Sequence, residues 1–331
     1  MNVPSRLLLL TGLFPVLLLL SGNRIPRLSP PSIAIDKPTT WSEKLGFPAG
    51  KKVIILHADD IGMCPEANVA AKHYLEAGSI QSAAVMMPCA AAADMITWAR
   101  QNPSFDVGLH LTLTSEWKTY RWGSISDSPT LVDGDQKLWR DVAGVVTHAS
   151  PNEVEDEIRA QIEKSISLGY RPDHIDTHMG SLYGHLELMK VFFKVAEDYH
   201  IPANVIDLSD PEVLAHYRKQ GYPLDDEAVK LISQYSLPKL DFFTSVPSGS
   251  SYEQKVENFK NLIRQLKPGL TEIIFHPSVE TENFKTILYT WEQRVWEAKM
   301  FSDPDLVQFF TDEGIIFTNW KEIMDRFENK K

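Results

Sequence analysis

Cysteine is scarce: 331 residues contain two, Cys64 and Cys89. There is no Cys-x-x-Cys pair and no clustered Cys/His finger, so a zinc site in this chain would not rest on thiolates. In an exported protein the two cysteines could pair; otherwise they are two small buried thiols. A basic run is also missing. Lys and Arg number 33 against 44 Asp and Glu, giving a net charge of −11. That balance argues against nucleic acid and against an anionic membrane surface as partner. No apolar stretch reaches the roughly 20 residues of a membrane span. Beyond the first 50 residues there is no solenoid-period repeat and no low-complexity segment.

What is present suffices for a sizeable core, with 43% hydrophobic and 10% aromatic residues. Arg6 precedes an apolar stretch from Leu7 to Leu20, broken only by Thr11, Gly12 and Pro15, with Ser21 and Gly22 after it. Residues 1–22 therefore read as a signal peptide or an uncleaved N-terminal anchor, and predict an exported protein, periplasmic or secreted. No other integral membrane segment is expected. Residues 23–50 are proline-rich with little periodicity, which predicts a linker or a wrapped-on extension outside the core. Residues 51–328 then form a single domain.

The chain is organised around Lys52-Val-Ile-Ile-Leu-His-Ala-Asp-Asp-Ile-Gly62. A continuous β-branched run closed by glycine predicts a strand covered on both faces, as in a parallel sheet. Helical patterns follow at 65–76, 90–100, 151–168, 187–200, 252–266, 281–301, 303–314 and 320–327. Strand patterns fall at 82–87, 107–114, 203–208, 240–246, 269–276 and 315–318, with a polar strand end at 174–180. Residues 211–237 read as helical or irregular. The alternation predicts an α/β fold with a parallel sheet or (β/α)-barrel, whose chemistry gathers at the C-terminal ends of the strands. Residues 115–150 interrupt the rhythm and carry Trp117, Tyr120, Trp122 and Trp139. They serve either as platforms for a sugar or as a small core that keeps a long loop folded.

Four of these strands end in His or Asp: Asp59 and Asp60, His110, Asp176 and His178, and His276. A lone histidine at a strand end is usually a hydrogen-bonded structural group. Four such ends on one side of a barrel are a site. Two histidines and a carboxylate are a common open metal set; a second carboxylate can take a proton from water and a further histidine can give one to a leaving group. The inventory suits metal-assisted hydrolysis without naming the bond. Spacing does not separate Asp59 from Asp60.

Together, His57-Ala-Asp-Asp-Ile-Gly, Val107-Gly-Leu-His-Leu-Thr, Asp176-Thr-His and Phe275-His-Pro resemble, in order, the motifs of YdjC-like (ChbG-like) carbohydrate deacetylases. Thr130-Leu-Val-Asp133, the surroundings of Arg294 and Asp312-Glu-Gly-Ile-Ile-Phe317 are also similar. The resemblance spans roughly residues 51–325. It implies a (β/α)-barrel-like fold, one divalent metal ion (Mg²⁺ or Zn²⁺) and removal of acetyl from N-acetylated sugars such as chitooligosaccharides. It also implies Asp60, His110 and His178 as metal ligands, Asp59 as general base and His276 as general acid. The chain departs from the pattern after His178. There Met179-Gly-Ser-Leu-Tyr-Gly-His185 replaces a richer run of histidines, and His185 is a candidate to compensate. Two alternatives stand beside this reading. One is a metal-independent glycoside hydrolase pairing Asp59 or Asp60 with Asp176. The other is a secreted carbohydrate-binding protein without turnover.

Overall fold

The computed structural model describes residues 39–329. The expected signal or anchor at 1–22, and the extension up to residue 38, lie outside the described residues. Seven parallel strands form the centre: β1 (Lys52–Ile61), β2 (Ser82–Val85), β3 (Asp106–Leu111), β4 (Ile175–Thr177), β5 (Phe242–Ser245), β6 (Gly269–Phe275) and β7 (Ile316–Phe317). Their order is β4-β3-β2-β1-β6-β5, with β7 paired to β1. Residues 203–206 carry the ring from β4 to β5 through two single bridges, Ile175 to Ala203 and Ile206 to Leu240. The expected strand at 203–208 is thus reduced to two isolated bridges. Pro202 lacks the N–H a ladder needs, which fits this interruption.

Val53, Ile54, Ile55 and Leu56 are fully buried, as a strand with a barrel interior on one face and helices on the other requires. Helix Pro65–Glu76 has the predicted bounds, with Pro65 at its first turn. The helix expected over 281–301 is two helices, Glu282–Ile287 and Trp291–Met300, separated by an extended Leu288. Residues 115–150 hold a small core. Trp122 Nε1 donates to the Thr114 carbonyl and Trp139 Nε1 to that of Thr130. The buried Glu157 carboxylate accepts the Ile125 and Ser126 N–H groups.

The extension contributes to the core, contrary to expectation. Helix Trp41–Lys44 begins with a capping box of Thr40 and Glu43. Asp241 accepts the Trp41 and Ser42 N–H groups, and Asp207 accepts Trp41 Nε1 at 2.7 Å. Leu45 and Phe47 then pack with Val53, Ile55, Leu240, Leu270, Trp320 and Ile323 under the barrel. Proline content reported an irregular backbone and not its burial.

The barrel interior is partly polar. Ser82 Oγ donates to Asp106 at 2.7 Å and lies 2.9 Å from His57 Nδ1. His174 Nδ1 is 2.9 Å from Asp106, and Trp320 Nε1 donates to Glu272. A Cβ on Gly108 would stand 2.3 Å from the His174 ring, so only glycine lets that ring lie against β3. Cys64 and Cys89 are buried free thiols, which answers the pairing question for this structure. Among the described residues, no helix is long and apolar enough to cross a membrane.

Candidate active site

Successive residues of a regular strand point to opposite faces, so Asp59 and Asp60 should not share a cavity. They do, because β1 bulges there. Between Ala58 and Ile61 its register against β2 shifts: Ala58 faces Ala83, yet Ile61 faces Val85. Asp60 takes a left-handed φ of 59°, a conformation that Asp tolerates better than most residues. Gly62 follows at φ +80°, where a Cβ would come within 2.8 Å of Val85 and 2.9 Å of the Ala92 backbone. Both carboxylates then line one cavity with His110, Glu116, Asp176, His178, His276 and Arg294.

Three atoms converge at its floor. Asp60 Oδ1 lies 3.1 Å from His178 Nδ1 and 3.5 Å from His110 Nε2, and is buried without a hydrogen-bond donor. The opposite nitrogen of each ring is held by a carboxylate. His110 Nδ1 meets Asp176 Oδ1 at 2.5 Å, and His178 Nε2 meets Glu116 Oε2 at 3.1 Å. These contacts select the tautomers whose free lone pairs face Asp60, the usual support of histidine ligands. Arg294 donates to the other Asp60 oxygen at 2.7 Å. Burial would push the Asp60 carboxyl up, but Arg294 and His178 hold it well below the usual carboxylate range. Burial likewise disfavours the His178 cation, yet Asp60 and Glu116 push it up to about 10. The point between these groups attracts positive charge, whether proton or metal ion. The donor set of one buried carboxylate oxygen and two imidazole nitrogens fits a divalent ion.

Asp59 stands beside this centre. His57 Nε2 is 3.1 Å from Asp59 Oδ1 and 2.8 Å from Asp176 Oδ2. The Ser82 hydroxyl proton is committed to Asp106, so Ser82 accepts from His57 Nδ1–H. Nε2 faces two carboxylates, so both ring nitrogens stand against acceptors, an arrangement that favours the imidazolium. Burial opposes that charge, but Glu272, Asp176 and Asp59 raise its pKa well above the ordinary value. Four carboxylates, Asp59, Asp60, Glu116 and Asp176, line the floor beside Arg294.

His276 lines the same cavity from the end of β6 and is about one-third exposed. Its backbone N–H donates to Glu297 at 2.7 Å, and Glu297 is paired with the buried Lys255. All five candidate residues, Asp59, Asp60, His110, His178 and His276, thus meet in one place. The sequence reading missed Glu116 altogether and gave His57 and Arg294 no task. Glu116 lies in the loop that follows β3 and its polar continuation Thr112 to Ser115, which was the available signal. Of the four loop aromatics, Trp117 lines the cavity and lies 5.6 Å from the Arg294 guanidinium; Tyr120, Trp122 and Trp139 do not line it. His185 does not compensate for the missing histidines. Its side chain caps helix Leu186–Tyr199 instead.

A sequence model for the family described as YdjC-like protein matches residues 53–312. A carbohydrate deacetylase of Thermus thermophilus is 28% identical over 268 residues, covering 80% of this chain and 91% of that protein. A carbohydrate deacetylase of Thermoanaerobacter pseudethanolicus is 25% identical over 273 residues, covering 81% of this chain and 98% of that protein. A crystal structure from Enterococcus faecalis, named for cellobiose-phosphate cleavage, superposes with a TM-score of 0.66 at 21% identity. It covers 82% of this chain and 99% of that one, a likeness of fold.

Proposed function

The chain belongs to the YdjC-like family, and from that premise we propose that it is a metal-dependent carbohydrate deacetylase, a hydrolase of the acetamide group on N-acetylated sugars. Asp60, His110 and His178 would hold one divalent ion, and two imidazole donors favour Zn²⁺ over Mg²⁺. Bound there, the ion would polarise the amide carbonyl and make water more acidic. The protein's own groups do the rest. Asp59 takes the proton of the attacking water while the His57 imidazolium holds its carboxylate in place. His276, at the end of the neighbouring strand β6, gives a proton to the departing amine nitrogen. Arg294 fixes Asp60, and Trp117 offers the sugar an apolar face.

The observation that carries this reading is the convergence of Asp60 Oδ1, His110 Nε2 and His178 Nδ1, with both outer ring nitrogens held by carboxylates. The glycosidase alternative needs Asp176 as a free acid, whereas its two oxygens are engaged by His110 and His57. The deciding assay is acetate release from N-acetylated mono- and oligosaccharides, with and without a chelator. Acetate that disappears on chelation and returns with Zn²⁺ is expected. New reducing ends indifferent to the chelator would replace deacetylation with glycoside hydrolysis. Export is also part of this proposal and rests on residues 1–22; cell fractionation checks it.

A further inference from the structure

The cavity extends well past the reacting groups. It holds about 550 Å³ and runs beside β5, the 203–206 segment and the helices Pro211–Lys219 and Asp226–Gln234. Ile206, Leu208, Tyr217, Tyr222, Leu224 and Phe243 line this part. The polar tips of the aromatic lining are largely spent on the protein itself. The Tyr217 hydroxyl donates to the Phe243 carbonyl at 3.0 Å and accepts its N–H at 3.1 Å. The Tyr183 hydroxyl donates to the Asn204 carbonyl at 3.1 Å. In this part the side-chain oxygen of Asn204, which lines the cavity, is buried and has no partner.

An acetyl methyl fills a small part of such a space. A second sugar ring would bring hydroxyls that need hydrogen bonds, and burying them against this wall would be costly. A hydrocarbon chain has no such requirement, and one adjacent N–H or O–H would satisfy Asn204. We propose that the substrate carries an aliphatic chain of medium length beside the scissile amide, and that the pocket under helices Pro211–Lys219 and Asp226–Gln234 seats it. This deepens the reading of the site as an amide hydrolase acting on an amino sugar, on which it rests for the position of the amide. The chain is attached to the amino sugar either as its N-acyl group or at its anomeric carbon.

Two matched pairs of ligands separate these sources and test the pocket. They are methyl and octyl glycosides of N-acetylglucosamine, and N-acetyl- and N-octanoylglucosamine, titrated calorimetrically below any micelle concentration into the full chain. Each methylene that enters an apolar pocket should tighten binding about fourfold. The octyl member of one pair is therefore expected to bind at least roughly thirtyfold tighter than its short partner, and the responding pair identifies where the chain is attached. Leu224→Asp should remove most of that gain, and the milder Leu224→Ala part of it, in protein whose circular dichroism is native. Equal affinities within both pairs, or a gain that survives Leu224→Asp, would overturn the proposal. Product release from the same compounds judges the chemistry separately. Chain-dependent binding without any amide hydrolysis keeps the pocket and sinks the deacetylase. Hydrolysis indifferent to chain length does the reverse.

Discussion

Each imidazole of the proposed metal set, His110 and His178, has a carboxylate behind it, and that pairing decides which ring nitrogen is free. Asp176→Asn should therefore weaken metal affinity by about 10–100-fold, and Glu116→Gln should act in the same direction, measured by metal retention against a graded chelator. Asp59 has a different task. Asp59→Asn should keep the metal and lose about 10²–10⁴-fold in rate, whereas His110→Ala should lose the metal itself. Undiminished turnover in the first, or full metal content in the second, would remove these assignments. Glu272 titrates beneath the site. Burial, working against the nearby His57, raises its carboxyl from an ordinary 4.5 to about 7. A raised acid favours the folded state while it is protonated. That contribution is complete below the ordinary value and is lost as pH rises through about 7. Glu272→Gln cannot titrate and keeps an acceptor for Trp320. Between pH 5 and pH 8 wild type should lose on the order of 2 kcal/mol relative to this variant, in urea unfolding. A constant difference across that range would contradict the assignment.

Elements aim these residues by departing from regularity. A regular β1 would send Asp59 and Asp60 to opposite sides; the bulge and the left-handed Asp60 bring both inward. Gly62 makes the turn possible at a contact where no Cβ fits. Gly62→Ala should cost well over 1 kcal/mol and displace the adjacent carboxylates, so its activity should fall further than its stability. The break at Leu288 has a similar consequence. It lets helix Trp291–Met300 start afresh, and that helix supplies Arg294 to Asp60. Below the barrel, the segment expected to be a linker or a wrapped-on extension acts as a fastening. Phe47→Ala should cost about 3 kcal/mol in chemical denaturation while leaving the kinetics of the native fraction intact. A change under 1 kcal/mol would mean that Phe47 is not part of the core.

At the scale of the whole molecule, the barrel brings together residues from four strand ends and a helix spread from Asp59 to Arg294. A metal bound only by the folded chain should stabilise it by mass action, so Zn²⁺ should raise the melting temperature and a chelator should lower it. The regular elements were legible in the sequence because local patterns cause them. The apolar, mostly β-branched run at 53–56 patterns as a covered strand, and Pro65 with Gly78 brackets a helix. The polar strand ends were legible for the same reason, since parallel strands all finish on one side. Contacts between distant segments left no such trace. Nothing near Glu116 announces His178, and nothing near Leu45 announces Trp320. Sequence by itself determined the barrel class and the identities of Asp59, Asp60, His110, His178 and His276 as candidates. Tertiary structure alone decided that Asp59 and Asp60 face one cavity, that His57 stands between two carboxylates, and that an apolar pocket opens beside the weakly paired 203–206 segment. Local propensity reports a backbone's periodicity, whereas burial, charge state and cavity shape depend on which remote side chains fill the space around it.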